Sequence, residues 1–357
     1  MEIFAWGKHG GYGRATRIIG RELAKRGLEV CAVVPLRGDQ RPIEVLDGIA
    51  VLGFRPGAPW RAASLLRECN ADIYHSQEPS FTTYLARRVM PHRKHVVTLR
   101  DTHELGDWLT ELRYPSLNRL QVLANQLYED NPLVQRAVRK ADRVYCAAEF
   151  LRAKAARKYR LPTKPELLPT PVPVPETAPK AERPTVCYLA RWDRRKRPEL
   201  FLKLAAQFPQ VRFIAFGNSR DSEYEDRLKG CYAHLPNLEM RGYVDQFQSP
   251  LVDQVLAESW VLVNTSSREG LPNAFLEAAA HGCAILSVAD ADGFASRFGV
   301  RVQGGDFAAG LEHLLRDGCW RELGLRGREH VRRTFELTSA IERHLTVYDE
   351  LMAARNP

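Results

Sequence analysis

The seven cysteines, at positions 31, 69, 146, 187, 231, 283 and 319, include no CxxC pair, so neither a zinc site nor a disulfide framework is suggested. Apolar runs fall short of the roughly 20 residues that a membrane-spanning helix needs. The opening MEIFAWGKHGGYGR lacks the basic region, long apolar region and small-residue cleavage site of a signal peptide. A soluble, cytoplasmic protein is expected. HExxH, GxSxG and the phosphate loop GxxxxGK[ST] are absent. No DxD-like acidic pair stands at a convincing strand end, so nothing argues for a metal. Gly10, Gly11 and Gly13 do not make GxGxxG, and no acid about 20 positions on completes a dinucleotide site.

What is there is ample for two domains: 357 residues, 45% hydrophobic and 27% charged. The net charge of +9 is uneven. Residues 1–161 carry a balance of +10 and residues 162–357 one of −1. A basic first half suits either a solubility surface or an anionic partner, such as a membrane surface, a phosphorylated acceptor or a nucleic acid. The charge change coincides with PTKPELLPTPVPVPETAPKAERP, residues 162–184, in which eight of 23 residues are proline. Such a stretch cannot hold a helix or a central strand and predicts an extended linker.

Each half alternates β-rich runs with helical patterns. MEIFAW, GLEVCAVV, GIAVLGF, ADIYHS, HVVTLR and ADRVYCA precede the linker; TVCYLA, VRFIAFG, NLEMRGYV, WVLVNTS and CAILSVA follow it. GRATRIIGRELAKRG, PELFLKLAAQF and NAFLEAAAHG lie between strands as helices, and LTSAIERHLTVYDELMAARNP closes the chain as another. The alternation predicts an α/β protein: two Rossmann-like, doubly wound parallel-sheet domains facing across a cleft. Ligands in such sheets bind beyond the carboxyl ends of the strands.

Three strand ends carry chemistry. REGLPNAFLEAAAHGCAIL, residues 268–286, follows WVLVNTS. Asn273 is a favoured N-cap, which predicts a helix from about Ala274 to Ala280 ending at Gly282, with Glu269 in the loop and Glu277 one turn in. Unpaired N–H groups near Ala274, Phe275 and Leu276 would then face an anion such as a diphosphate. Two carboxylates could bracket a ligand's hydroxyls; equally, Glu269 could be a solvated loop acid and Glu277 a helix-start acid. TVCYLARWDRRKRPEL puts Arg191 at a strand end and Lys196 five residues on, either as a phosphate-binding cation pair or as part of a solvated basic turn with Arg194, Arg195 and Arg197. GKHGGYGR lets backbone approach a ligand closely. Further candidates follow ADIYHSQE (His75, Glu78) and HVVTLRDTHE (Arg100, Asp101, His103), although a lone histidine also fits a packed core.

Together these features resemble the family 4 glycosyltransferases of the GT-B fold. GGYGRATRIIGRELAKRGLEV, ADIYHSQE, ADRVYCAAEFL, YLARWDRRKRPELF, LEMRGYV and REGLPNAFLEAAAHGCAIL fall in that family's order along almost the whole chain. The resemblance implies an acceptor-binding domain over residues 1–165, a linker over 166–184, a donor-binding domain over 185–337 and a helix, 338–357, crossing back to the first domain. It implies a retaining, metal-independent transfer of a sugar from a nucleotide diphosphate sugar, a UDP-sugar or GDP-sugar, used as substrate with no further cofactor. Glu277 would hold the donor ribose and Glu269 the donor sugar. Arg191 and Lys196 would neutralise the diphosphate. The backbone at Asn273, Ala274, Phe275 and Leu276 would bind sugar and phosphates, Gly11 would approach the phosphates, and Tyr243 and Val244 would meet the base. His75, Arg100, Asp101 and His103 would serve the first domain and the acceptor, a glycan, lipid-linked or other anionic molecule. Peripheral membrane contact is an option for the basic half, and no nucleic acid is expected. Two positions depart from the family pattern: Arg100 stands where many members have His, and Pro272 where many have Gly. Other readings of the same residues are a nucleotide-sugar epimerase or isomerase, with His75, Asp101, His103 and Glu104 moving protons, and a non-catalytic polyanion-binding protein.

Overall fold

Short β-branched runs become strands, and the amphipathic stretches between them become helices, in a computed structural model that describes residues 3–7, 10–115 and 118–354. The order begins α1 (Gly11–Lys25), β1 (Val30–Pro35), β2 (Ile43–Leu46), β3 (Ile49–Phe54), α2 (Ala62–Cys69), β4 (Ile73–Ser76) and α3 (Phe81–Val89). It continues with β5 (Lys94–Leu99), α4 (Leu105–Arg113), α5 (Arg119–Glu129), α6 (Pro132–Arg139), β6 (Arg143–Cys146), α7 (Glu149–Tyr159) and β7 (Glu166–Leu167). After the proline-rich stretch come β8 (Thr185–Leu189), α8 (Pro198–Gln207), β9 (Arg212–Phe216), α9 (Ser222–Tyr232), β10 (Leu238–Gly242), α10 (Leu251–Glu258) and β11 (Val261–Asn264). The chain ends with α11 (Asn273–Ala280), β12 (Ala284–Ser287), α12 (Phe294–Phe298), β13 (Gly299–Arg301), α13 (Phe307–Leu315), α14 (Cys319–Thr334) and α15 (Leu337–Ala353).

Two units result. The first takes residues 1–108, 122–171 and 337–357; the second takes 109–121 and 172–336. In the first unit, β1-β3-β2 form one sheet and β4-β5-β6-β7 another. All pairs are parallel except β2 with β3. That antiparallel hairpin departs from the all-parallel expectation; Asp47 and Gly48, both at positive φ, make its tight turn. The expected opening strand MEIFAW also differs. Ile3 and Phe4 are buried, Ala5 makes only an isolated bridge, and positive φ at Trp6 and Gly7 turns the backbone away. Helix α15 covers this unit: Ile341 packs on Ile19 and Leu23, and Val347 and Leu351 pack on Val96, Tyr145 and Leu168. Cys31 and Cys69 are joined by a disulfide across 38 positions of sequence. The cysteine spacing does not suggest it, because β1 and α2 meet only through packing.

The second unit is built on a six-stranded parallel sheet in the order β10-β9-β8-β11-β12-β13. Val186, Tyr188, Phe213 and Val263 face one core, and Cys187, Ile214, Phe216 and Leu262 face the other. Burial on both faces explains why these strands read as unbroken apolar runs. The order reverses between β8 and β11: from β8 the chain builds outward in one direction, and from β11 in the other. That reversal is the topological switch point of an open α/β sheet.

The proline-rich stretch is less loose than a linker. β7 is a two-residue edge strand on β6, a place where flanking prolines are tolerated. From Val172 the chain lies along the second unit. Prolines lack N–H groups but keep carbonyls, and the Pro175 and Glu176 carbonyls accept from Arg328. Val172 donates to the Phe335 carbonyl, Ala181 to that of Glu258, and the Trp260 indole to that of Ala181. Among the described residues no helix is long and apolar enough to cross a membrane.

Candidate active site

The loops after β8 and β11 flank the switch point, and they are laced together. After β8, Asp193 makes the turn: its Oδ1 accepts from the N–H groups of Arg195 at 3.1 Å and Lys196 at 3.0 Å. Trp192 is buried beside it and anchors the turn by donating its N–H to the Asn218 carbonyl at 2.9 Å. Gly217 at the end of β9 makes room, because a Cβ there would lie 1.9 Å from the Ala190 carbonyl oxygen. From the β11 side, the Thr265 hydroxyl donates to the Lys196 carbonyl at 2.6 Å, and Ser267 N–H donates to the Arg195 carbonyl at 2.9 Å. In return the Arg197 Nε donates to the Thr265 carbonyl at 2.6 Å.

This lacing brings Lys196 and Glu269 into a short ion pair, with Asn264 Nδ2 donating to the same Glu269 oxygen at 3.3 Å. Burial pushes the Glu269 carboxyl up, but Lys196, Ser266 and Arg195 more than offset it and hold it below the usual carboxylate range. Arg191 is the more available cation: its side chain is 35% exposed, and its ion pair, with Asp193, is 3.4 Å long. The basic turn is thus not a solvated run. Arg194 alone is exposed; Arg195 is largely buried against Glu111, and Arg197 is spent on backbone.

Helix α11 starts one residue earlier than expected. Pro272 occupies the N-cap, with φ −66° and ψ 133°, and Asn273 is the first helical residue, so Asn273 does not cap. Proline's fixed φ suits that entry. The Phe275 N–H is also not open, since it donates to the Pro272 carbonyl at 3.0 Å. The side chains of Phe275 and Leu276 are core. Ala274, in the first turn, lacks an intrahelical acceptor for its N–H. Glu277 is buried and faces the loop after β10, where Gln246 Nε2 lies 3.4 Å from its Oε2. In that loop Val244 packs on the core under α11, and Tyr243 precedes it. The two glutamates therefore address different loops: Glu269 that after β8, Glu277 that after β10. Among the described residues no group of three or more His, Cys, Asp and Glu could hold a metal.

In the first unit the candidates separate. His75 is held inside: Tyr348 Oη and Thr98 Oγ1 lie 2.7 Å from its two ring nitrogens. Burial, with His344 and Arg100, keeps it well below the usual histidine range, so it serves as a packed residue. Arg100 and Asp101 are joined through Glu78, whose Oε2 accepts from their N–H groups at 2.6 and 2.9 Å. Glu78 sits at φ 128°, and burial pushes its carboxyl up to about 8. His103 stacks on Trp108, with ring centroids 4.4 Å apart, and its Nε2 is 3.8 Å from Asp101. Gly11 opens α1 behind the N-cap Gly10. The glycine of close approach is Gly13, where a Cβ would lie 2.9 Å from the Ile3 carbonyl carbon. Lys8 and His9 of that loop lie outside the described residues.

Residues 9–175 match the family described as Glycosyltransferase Family 4, and residues 183–317 match Glycosyl transferases group 1. No curated protein matches. Among solved structures, the sucrose-phosphate synthase of Thermosynechococcus elongatus superposes with a TM-score of 0.73 at 17% identity, covering 97% of this chain and 94% of that one. The Anabaena protein HepE, in complex with UDP and glucose, gives 0.70 at 14%, covering 96% and 97%. A glycosyltransferase from Rickettsia africae gives 0.68 at 13%, covering 98% and 97%. At these identities the likeness shows the fold.

Proposed function

The chain belongs with the GT4-like glycosyltransferases of the GT-B fold, and from that premise we propose that it transfers a hexosyl group from a nucleotide diphosphate sugar to an acceptor hydroxyl, with retention and without a metal ion. The observation that carries this is the placement of Arg191, Lys196 and Glu269 on the two loops that flank the β8/β11 switch point. The bond from the sugar's anomeric carbon to the diphosphate oxygen breaks, and the electron pair stays on that oxygen. Arg191 and Lys196 neutralise the charge that develops; one such preorganised donor contributes on the order of 3 kcal/mol. The acceptor hydroxyl bonds to the anomeric carbon on the face the leaving group departs, and its proton passes to the departing phosphate oxygen. Glu269 holds Lys196 in position before the donor arrives and touches the donor sugar. Glu277 takes the ribose hydroxyls, beside the base at Tyr243 and Val244. HepE, crystallised with UDP and glucose, supports a UDP-sugar as the donor to try first.

The acceptor in this reading is a glycan, lipid-linked or otherwise anionic, and the +10 balance of residues 1–161 supports it and supports peripheral contact with an anionic membrane. The test is a thermal-shift panel of UDP, GDP, ADP and their sugars, each with magnesium and with EDTA. A nucleotide at 100 times its Kd adds about 2.7 kcal/mol of stability. One nucleotide series should shift the protein equally with and without EDTA, and Glu277→Ala should lose that shift. Arg191→Ala and Lys196→Ala should each lower turnover by about 100-fold. Unchanged turnover in both would remove the proposed mechanism.

A further inference from the structure

Arg100 is only 6% exposed, yet among the described residues its guanidinium meets no carboxylate. Its partners are neutral: Nε and Nη2 donate to Gln77 Oε1 at 3.2 and 2.5 Å, and Nη1 donates to Thr170 Oγ1 at 2.7 Å. Buried charges are ordinarily paired, because desolvation of an ion without a counter-ion is among the largest penalties in a protein. Glu78 favours the Arg100 charge through space but makes no ion pair with it: its Oε2 turns to the backbone N–H groups of Arg100 and Asp101, and burial pushes its carboxyl up to about 8. Asp101 turns toward His103. Arg100 also acts on its surroundings: burial first and then Arg100 hold His344 down at about 4. Gln77 and Thr170 fix the guanidinium plane and use three of its five N–H groups, which leaves two donors pointing elsewhere. Tyr12, in the first turn of α1, is within electrostatic reach of Arg100, and that helix has neither a side-chain cap nor an acid in its first turn.

We propose that Arg100 anchors a subsite in the first unit for an oxyanion carried by a saccharide, a phosphate or a carboxylate. The sugar so recognised is a sugar phosphate or a uronic acid, and the inference rests on the glycosyltransferase reading only in taking that sugar to be a substrate. A planar fork with two remaining donors matches an oxyanion's two oxygens, and the anion supplies the counter-charge that the fold withholds.

The test titrates the full-length protein with glucose 6-phosphate, glucuronic acid, inorganic phosphate and glucose, read by calorimetry and by the ligand-dependent rise in Tm. At least one anionic sugar should bind and glucose should not. Binding of glucose 6-phosphate alone assigns a phosphate, and of glucuronic acid alone a carboxylate. Arg100→Gln should raise the Kd by about 10- to 100-fold, the worth of a charge-assisted pair of bonds. Should that variant not fold, Arg100→Lys carries the test: it keeps the charge, loses the fork and should bind several-fold more weakly. Equal binding by wild type and variant, or no binding of any anion at millimolar concentration, overturns the proposal. Glu277→Ala separates the two readings, since it should lose nucleotide binding and keep the anion.

Discussion

Lys196 and Glu269 are each the condition for the other's burial. Removing one partner of such a pair costs about 3–5 kcal/mol, while removing both charges is far milder. Lys196→Met should therefore destabilise strongly at neutral pH, and Lys196→Met with Glu269→Gln should recover most of the loss in urea unfolding. Because the Glu269 carboxyl is held low, the pair's contribution is present above about pH 4.3 and lost as pH falls through the folded value. Glu78 has the opposite sign. Its folded pKa is raised to about 8, so the folded protein holds a proton that the unfolded chain releases near about pH 4.3, and stability falls as pH rises between those values. Glu78→Gln should raise stability by about 1 kcal/mol at pH 5 and by about 5 kcal/mol at pH 9, each tenfold step in the proton equilibrium being worth about 1.4 kcal/mol. Equal effects at both pH values would contradict the raised pKa. At this scale Arg191, Lys196 and Glu269 are legible in the sequence because each stands a few residues past a strand. The buried pairing of Arg195 and the setting of Glu78 are not, because what defines each is a partner far away in sequence: Glu111 lies 84 positions from Arg195, and Arg100 lies 22 from Glu78.

Strands are legible where both faces are buried and helices where an apolar stripe recurs. β8, β9, β11 and β12 fall inside the runs TVCYLA, VRFIAFG, WVLVNTS and CAILSVA. β7 and β13 cannot be read because they have two and three residues, too few for a period, and β2 because none of its four residues is buried. The start of α11 shows the limit of local rules. Asn273 is a good N-cap by type, yet Pro272 takes the cap, and nothing local weighs one entry angle against the other. Between elements, contact is set by glycine at several demanding places, Gly217 among them. Gly217 has φ 124°, and its missing Cβ lets the end of β9 meet Ala190. Gly217→Ala should cost at least about 2 kcal/mol from backbone conformation and clash together. It should also weaken nucleotide binding, since Ala190 precedes Arg191. A variant that keeps both stability and nucleotide affinity would show that the β8 turn does not depend on this approach.

The division into units can be sensed from proline and charge, but its bounds cannot. Residues 109–121 leave the first unit's stretch of sequence and group with the second, and α15 groups with the first. Only packing decides such membership, and composition carries no trace of it. The segment 109–121 brings Glu111, which pairs with Arg195 at the foot of the turn that holds Lys196. Both side chains are only 15% exposed, so the pair is a largely buried one whose halves come from distant parts of the chain. In the full-length protein, Arg195→Met leaves Glu111 with Arg268, 3.8 Å away, as its remaining cation and should cost about 3 kcal/mol, the low end for breaking a buried pair. A fragment of residues 172–336 keeps the whole six-stranded sheet but loses Glu111, and in it Arg195 regains water. The same substitution should there cost within about 1 kcal/mol, the range of a solvated surface charge. Urea unfolding of the four proteins measures the difference. Equal costs in chain and fragment would mean that Arg195 is held by Asp193 and Glu269, which the fragment keeps. A larger cost in the full chain makes 109–121 the segment that tensions the turn after β8, so that, on the proposed function, substitutions in 109–121 should alter nucleotide affinity without touching the ligand.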